Sequence, residues 1–228
     1  MQFGRGLYDN LTKYARFQMG CLFGFILSFP GASIFNVAGG VPILPLQTLW
    51  VSFTSQVIQS VGLGYGRPAA GLMQRRPRPP GQPILGRGLL IWLVIAGLVI
   101  AAGTLGVISW AQQAHGLVVA RTMGLVTLSL FNLFFSIESK DDRQSAFNLD
   151  TLSDKTLVLT TATSFSLLVL STVLGPFQTI LKTTTLDVTQ GLACTATSLS
   201  IVVAADIRKA ARQRSSRIGS GQQAIRAS

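Results

Sequence analysis

Ser52, Ser55, Gln56 and Gln59 recur at three- and four-residue spacing inside an otherwise apolar run, Ile43 to Leu63. On a helix that spacing gathers them on one face. Neutral hydroxyls and amides can do two things there. They can hydrogen-bond neighbouring helices together, each contributing about 0.6 to 2 kcal/mol, or they can offer dipoles to an ion as a residual, neutral path for a monovalent species. They supply no charge. The eight acids are Asp9, Glu138, Asp141, Asp142, Asp150, Asp154, Asp187 and Asp206, and each lies in a loop, a lead-in or the end of an apolar run. A divalent cation stripped of water at mid-membrane depth normally needs carboxylates. High-affinity calcium binding by this chain alone is therefore not expected.

Other chemistry is absent from the pattern. The sequence contains no P-loop, no Ser/His/Asp set and no HExxH. The single histidine, His115, falls in a short turn with nothing near it to complete a site. Cys21 and Cys194 both fall in apolar runs, with no CxxC or His/Cys cluster, and read as small buried hydrophobes rather than ligands or a disulfide. No catalytic, cofactor-binding or metal-binding residue is assigned.

The elements that must position the polar stripe are membrane helices. Of 228 residues 48% are apolar and 12% charged, with a mean hydropathy of +0.47; a soluble domain carries about 25% charge. Six runs are long enough to cross a bilayer, at about 17–37, 43–63, 89–110, 117–137, 157–174 and 188–205. The fold class is an all-α integral membrane protein, a six-helix bundle at 17–207. Residues 1–16 form a polar, helix-compatible lead-in, and 208–228 a basic tail expected to be disordered after its first turn or two. Pro30 should kink or interrupt the first span, and Gly39-Gly40 makes the turn to the second. Ser153 or Asp154 caps the fifth helix, which Gly175-Pro176 closes. Arg121 reads as a snorkelling residue at a span end.

The net charge is +11. Seventeen of the 19 Lys and Arg residues lie in the lead-in, the second-to-third loop, the fourth-to-fifth loop and the tail. That bias puts both termini in the cytoplasm. The basic residues sit beside apolar runs, so the charge points to a lipid bilayer, not to nucleic acid.

The stretch Leu44 to Leu85 resembles the sixth membrane helix of P-type cation-transporting ATPases and the loop after it. The likeness runs through Pro42, Pro45, Leu49-Trp50-Val51, Gly62-Leu63-Gly64, Met73, Arg75, Pro77-Arg78, Pro80 and Pro83-Ile84-Leu85. Gly4-Arg5, Tyr8 and Asp9-Asn10 resemble the family's fifth-helix stalk, Ala120-Arg121-Thr122-Met123 with Asn132 and Ser136 its eighth helix, and Leu186-Asp187 with Asp206-Ile207-Arg208-Lys209 the ends of its tenth.

The resemblance implies the last six of ten helices in a calcium-pump-like membrane domain, expected in the plasma (cell) membrane. It also implies departures. The family's sixth-helix pattern Asn-x-x-Thr-Asp falls on Ser52, Ser55 and Gln56, so a neutral amide replaces the acid. On the eighth helix an acid position falls on Ser129, while Asn132 is kept. The fifth-helix Asn and Glu positions fall near Met19 to Gly24, which holds neither. The phosphorylation motif Asp-Lys-Thr-Gly-Thr is missing; Asp154-Lys155-Thr156 opens like it, but Leu157-Val158 follows. Whether the protein acts as an enzyme is open. Cation transport would need a partner chain with the catalytic domains. The alternatives are a non-transporting pump remnant, a membrane assembly or regulatory partner, or a passive path built from Ser52, Ser55, Gln56 and Asn132.

Overall fold

The computed structural model describes residues 2–66, 86–140 and 154–226, with side chains at 4, 6–66, 86–140 and 154–209. The basic loop at 67–85 and most of the polar segment at 141–153 lie outside the described residues. Helix α1, Gln2–Ile34, carries the lead-in and the first span as one rod. Pro30 sits inside it and does not end it. The ring lies one turn from the C-terminus, where few backbone bonds remain to be lost.

A left-handed turn follows. Asn36, Ala38, Gly39 and Gly40 all have positive φ, at 51°, 53°, 69° and 80°. Two of the four are not glycine, and the turn is tied from outside. The Ala38 N–H donates to Gln112 Oε1 at 2.8 Å. Arg121 donates to the carbonyls of Val41 and Ala38, both at 3.3 Å. Arg121 is thus a clamp on this turn and not a free snorkelling cation.

The second apolar run is helical throughout, in three pieces. Helix α2, Pro45–Val51, starts with Pro45 in its first turn, where a missing N–H costs nothing. A π-helical segment follows at Ser52–Val57, and α3 continues over Ile58–Tyr65. Helix α4, Arg87–His115, ends at Gly116 with φ 86°, and α5, Leu117–Lys140, returns. Helix α6, Lys155–Val173, is capped by Asp154, whose carboxylate accepts from the Thr156 N–H at 3.2 Å, as the sequence predicts. Helix α7, Gly175–Leu181, follows with Pro176 in its first turn. Helix α8 runs from Val188 to Arg226, well beyond the point where the sequence reading ends the ordered chain. Ala, Arg and Gln predominate in its early extension and favour helix. Asp187 and Gln190 start it, the Gln190 side chain accepting from the Asp187 N–H at 3.0 Å.

Among the described residues five helices are long and apolar enough to cross a membrane: Gly6–Ile34, Arg87–His115, Leu117–Lys140, Lys155–Val173 and Val188–Lys209. Helix α5 is the centre of the bundle. Inside the bundle, 72% of its apolar window is buried, against 22% for α6. Phe131, Phe135, Met123 and Leu128 of α5 form the core with Phe17, Ile100, Ile108 and Ile201. Small residues let the backbones close. A Cβ on Gly97 would lie 2.6 Å from that of Phe23, so α1 and α4 touch nearly backbone to backbone.

The helix ends sort into two groups. At one end Lys13, Gly66, Lys140 and Asp154 line a common recess. There Lys140 pairs with Asp154 at 3.2 Å, Lys209 with buried Glu138 at 3.4 Å, and Arg208 lies 4.7 Å from the Trp92 ring. At the other end Gln112 and Arg121 hold the turn, and Thr122 accepts from the Thr184 N–H at 3.2 Å. His115 ends α4 there, exposed, its ring edge-on to Trp110 at 5.8 Å.

Candidate functional site

The polar stripe points inward. Ser55 and Gln59 are completely buried, Gln56 is 8% exposed and Ser52 half-buried. On the opposite face Leu49, Phe53 and Val57 are at least half exposed. Polar inside and apolar outside is the arrangement a lipid solvent selects. Ser129 and Asn132, on α5, are also buried.

Contacts at two levels fix how these elements run. Arg121 near the start of α5 reaches Val41 just ahead of α2. Ser136, four residues from the end of α5, donates to Gln59 Oε1 in α3 at 3.0 Å. The α2–α3 helix and α5 are therefore parallel and close to register. One turn back from the Gln59–Ser136 pair, Ser55 and Gln56 stand level with Asn132; a further turn brings Ser52 level with Ser129. This register sets the six residues singled out from sequence at neighbouring levels of the two helices, as a polar ladder, and Gln59 makes the hydrogen bond that joins the helices there.

Helix α6 closes the ladder from a third side and runs antiparallel. Thr161 donates to the same Gln59 Oε1 at 3.3 Å, and Ser164 donates to the Thr54 carbonyl at 2.6 Å. A Cβ on Gly62 would collide with Thr160, so glycine is needed there. The π segment explains the Thr54 contact: a π turn loosens the backbone ladder, and its carbonyl accepts a hydroxyl from outside the helix. Such insertions cluster at functional positions, and this one covers the segment that holds Ser52, Ser55 and Gln56.

Ser136, Thr161 and Ser164 are ladder members that the sequence reading left out of its site. Thr161 and Ser164 are spaced by three on one helix, a signal that was present but indistinguishable from the many hydroxyls of that run.

The ladder is satisfied unevenly. At the Gln59 rung one carbonyl takes two hydroxyls. At the next rungs Ser55 Oγ, Gln56 Nε2, Ser129 Oγ and both amide atoms of Asn132 are buried without a partner, as is Gln59 Nε2. Among the described residues no carboxylate stands on the ladder. Among the described acids Asp9, Glu138 and Asp154 are in ion pairs, and Asp187 accepts from Thr189. Among the described residues no group of three His, Cys, Asp or Glu could hold a metal ion. The arrangement can present neutral oxygens and amide N–H groups to a small polar occupant; it can neither transfer a proton from an acid nor phosphorylate.

Comparison with known families decides what this bundle is. The family described as "Cation transporting ATPase, C-terminus" matches residues 40–211. The chain belongs to that family. It is 28% identical over 206 residues to "Probable cation-transporting ATPase F" of Mycobacterium tuberculosis, covering 89% of this chain and 22% of the relative. It is 26% identical over 182 residues to a "Calcium-transporting ATPase" of Bacillus subtilis, covering 79% and 20%. To "Calcium-transporting ATPase type 2C member 1" of Bos taurus it is 23% identical over 208 residues, covering 90% and 22%. The chain thus spans about a fifth of the length of these relatives. The match is to the C-terminal part of these ATPases, which agrees with the resemblance drawn from Pro42 to Leu85.

Proposed function

We propose that the chain is the ion-handling membrane domain of a P-type cation transporter and that the polar ladder is its working part. The observation that carries this is the coincidence of three features on one segment: the π turn, the inward stripe Ser52–Ser55–Gln56, and its register with Ser129 and Asn132 on α5. With six crossings both termini would share one side, and the bias of basic residues favours the cytoplasmic one. Pro45 to Tyr65 supplies the sixth; as a rod of 21 residues it is about 31 Å long, enough for the hydrocarbon core. The gathering of Lys13, Lys140, Lys209 and Arg208 at one end supports the same orientation. That orientation and the charge bias suit a cell membrane.

Transport then requires the phosphorylation and nucleotide-binding machinery, which none of these residues provides, from the remainder of the same assembly. Neutral Ser52, Ser55, Gln56 and Ser129 at the family's ion-ligand positions alter what the domain carries. The test is a pull-down of the tagged chain from native membrane in mild detergent, with mass spectrometry. A co-purifying polypeptide, or continuous longer product, that bears Asp-Lys-Thr-Gly-Thr supports the reading. A stable lone chain would sink it and favour a remnant or an assembly partner.

A further inference from the structure

The upper rungs of the ladder differ from the Gln59 rung in a way that helix packing alone does not explain. Where polar side chains act as glue, they meet: Ser136 and Thr161 both reach Gln59, and Ser164 reaches Thr54. One turn away, completely buried Asn132 keeps neither its amide oxygen nor its amide nitrogen occupied. Turning the amide over changes nothing, because both atoms lack partners. Ser55 Oγ and Gln56 Nε2 are in the same state at that level, and Ser129 Oγ one turn further on. Native interiors rarely leave so many buried polar atoms unfilled unless something occupies the space between them.

The orphaned atoms define the occupant. Asn132 Oδ1 and the two serine oxygens are acceptors that suit a cation. The amide N–H groups of Asn132, Gln56 and Gln59 are donors, which a bare cation would repel and a water oxygen would satisfy. The occupant therefore brings water with it. Among the described residues no carboxylate shares the ladder, and Glu138, two residues beyond Ser136 on α5, is paired with Lys209. Dehydrating an ion costs free energy in proportion to the square of its charge, so neutral oxygens can replace part of the shell of a monovalent ion but not that of a divalent one. We infer that the Ser55–Gln56–Asn132 level, with Ser129 one turn beyond it, binds a monovalent cation that keeps part of its water shell, and does not bind calcium. This rests on the reading of the ladder as the ion-handling part of the chain.

The experiment uses the full chain in lipid nanodiscs. Its unfolding midpoint is measured in Na+, K+, Ca2+ and N-methylglucamine salts at equal ionic strength. Na+ or K+ should raise the midpoint by about 2–4 °C over N-methylglucamine, and Ca2+ should not. Ser129→Ala, a small change, should reduce the monovalent shift, and Asn132→Asp should transfer the response to Ca2+. An equal midpoint in all four salts, a larger shift with Ca2+ in the unaltered chain, or a monovalent shift unchanged by both substitutions overturns the inference. These outcomes are independent of whether a catalytic partner co-purifies, so failure of the pump reading and failure of the cation assignment are separately visible.

Discussion

Replacing Gln59 or Asn132 by leucine should move stability in opposite directions, although both are fully buried amides on the same ladder. Gln59 Oε1 accepts from Ser136 at 3.0 Å and from Thr161 at 3.3 Å. Hydrogen bonds between membrane helices contribute about 0.6 kcal/mol on average and up to about 1.7. Ser136 keeps a second acceptor, the Leu133 carbonyl at 2.8 Å, and so loses little. Thr161 loses its only partner across the interface described here. Gln59→Leu should therefore cost about 1–2 kcal/mol. Asn132 makes no bond to lose, and both of its polar atoms are buried. Leucine is branched at the same carbon but bulkier; the account leaves room beside Asn132 for an occupant, so Asn132→Leu in cation-free buffer should be neutral or stabilising by about 1 kcal/mol. Reversible unfolding in mixed micelles, followed by tryptophan fluorescence, reads both. If Asn132→Leu costs as much as Gln59→Leu without added cation, the reasoning from unpartnered atoms is wrong.

Other consequences follow from the ends of the bundle. Ala38→Gly should stabilise by about 1 kcal/mol, because a left-handed alanine carries a steric cost that glycine lacks; a lower unfolding midpoint would count against strain in that turn. Arg121→Leu should destabilise the turn it holds and raise amide exchange at 36–41, read by hydrogen-exchange mass spectrometry; unchanged exchange would remove Arg121 as the clamp. Glu138→Leu alone leaves Lys209 buried without its carboxylate and should cost about 3–5 kcal/mol, while the double change with Lys209→Met recovers most of it. The Thr189 hydroxyl and the Val188 N–H hold the Asp187 carboxyl below its usual range. Its contribution is present above about pH 4, the usual carboxylate value, and is lost as pH falls through the depressed one. Asp187→Asn should flatten that acid limb, and a limb of unchanged slope would assign it elsewhere.

Much of this architecture was readable from Ile43 to Leu63 and its neighbours, because hydropathy over twenty residues reports the membrane directly and a three-to-four spacing reports a shared helix face. The inward stripe was legible in that way, the Asp154 cap from an acid placed just ahead of an apolar run, and the family from the motif resemblance between Pro42 and Leu85. The π turn was not. A π insertion leaves composition and spacing nearly unchanged and is set by what packs beside it, here Ser164 and Thr161 of α6. Arg121 was misjudged for a related reason. A basic residue at a span end looks the same whether it reaches headgroups or carbonyls, and only the left-handed turn at Ala38 decides between them. The uneven satisfaction of the ladder was also invisible, since Gln59 and Gln56 differ in partners and not in type. Helix beyond Lys209 ran against a reading based on charge and polarity, although the alanines and arginines there favour helix.

The most direct test of the account is phosphoenzyme formation in the native assembly purified through this chain, with labelled ATP and a titration of added cations. The account predicts phosphoprotein whose level is set by Na+ or K+, indifferent to Ca2+ and uncoupled from the monovalent ion by Asn132→Leu. Phosphoprotein governed by Ca2+, or a monovalent response that survives Asn132→Leu, would contradict it.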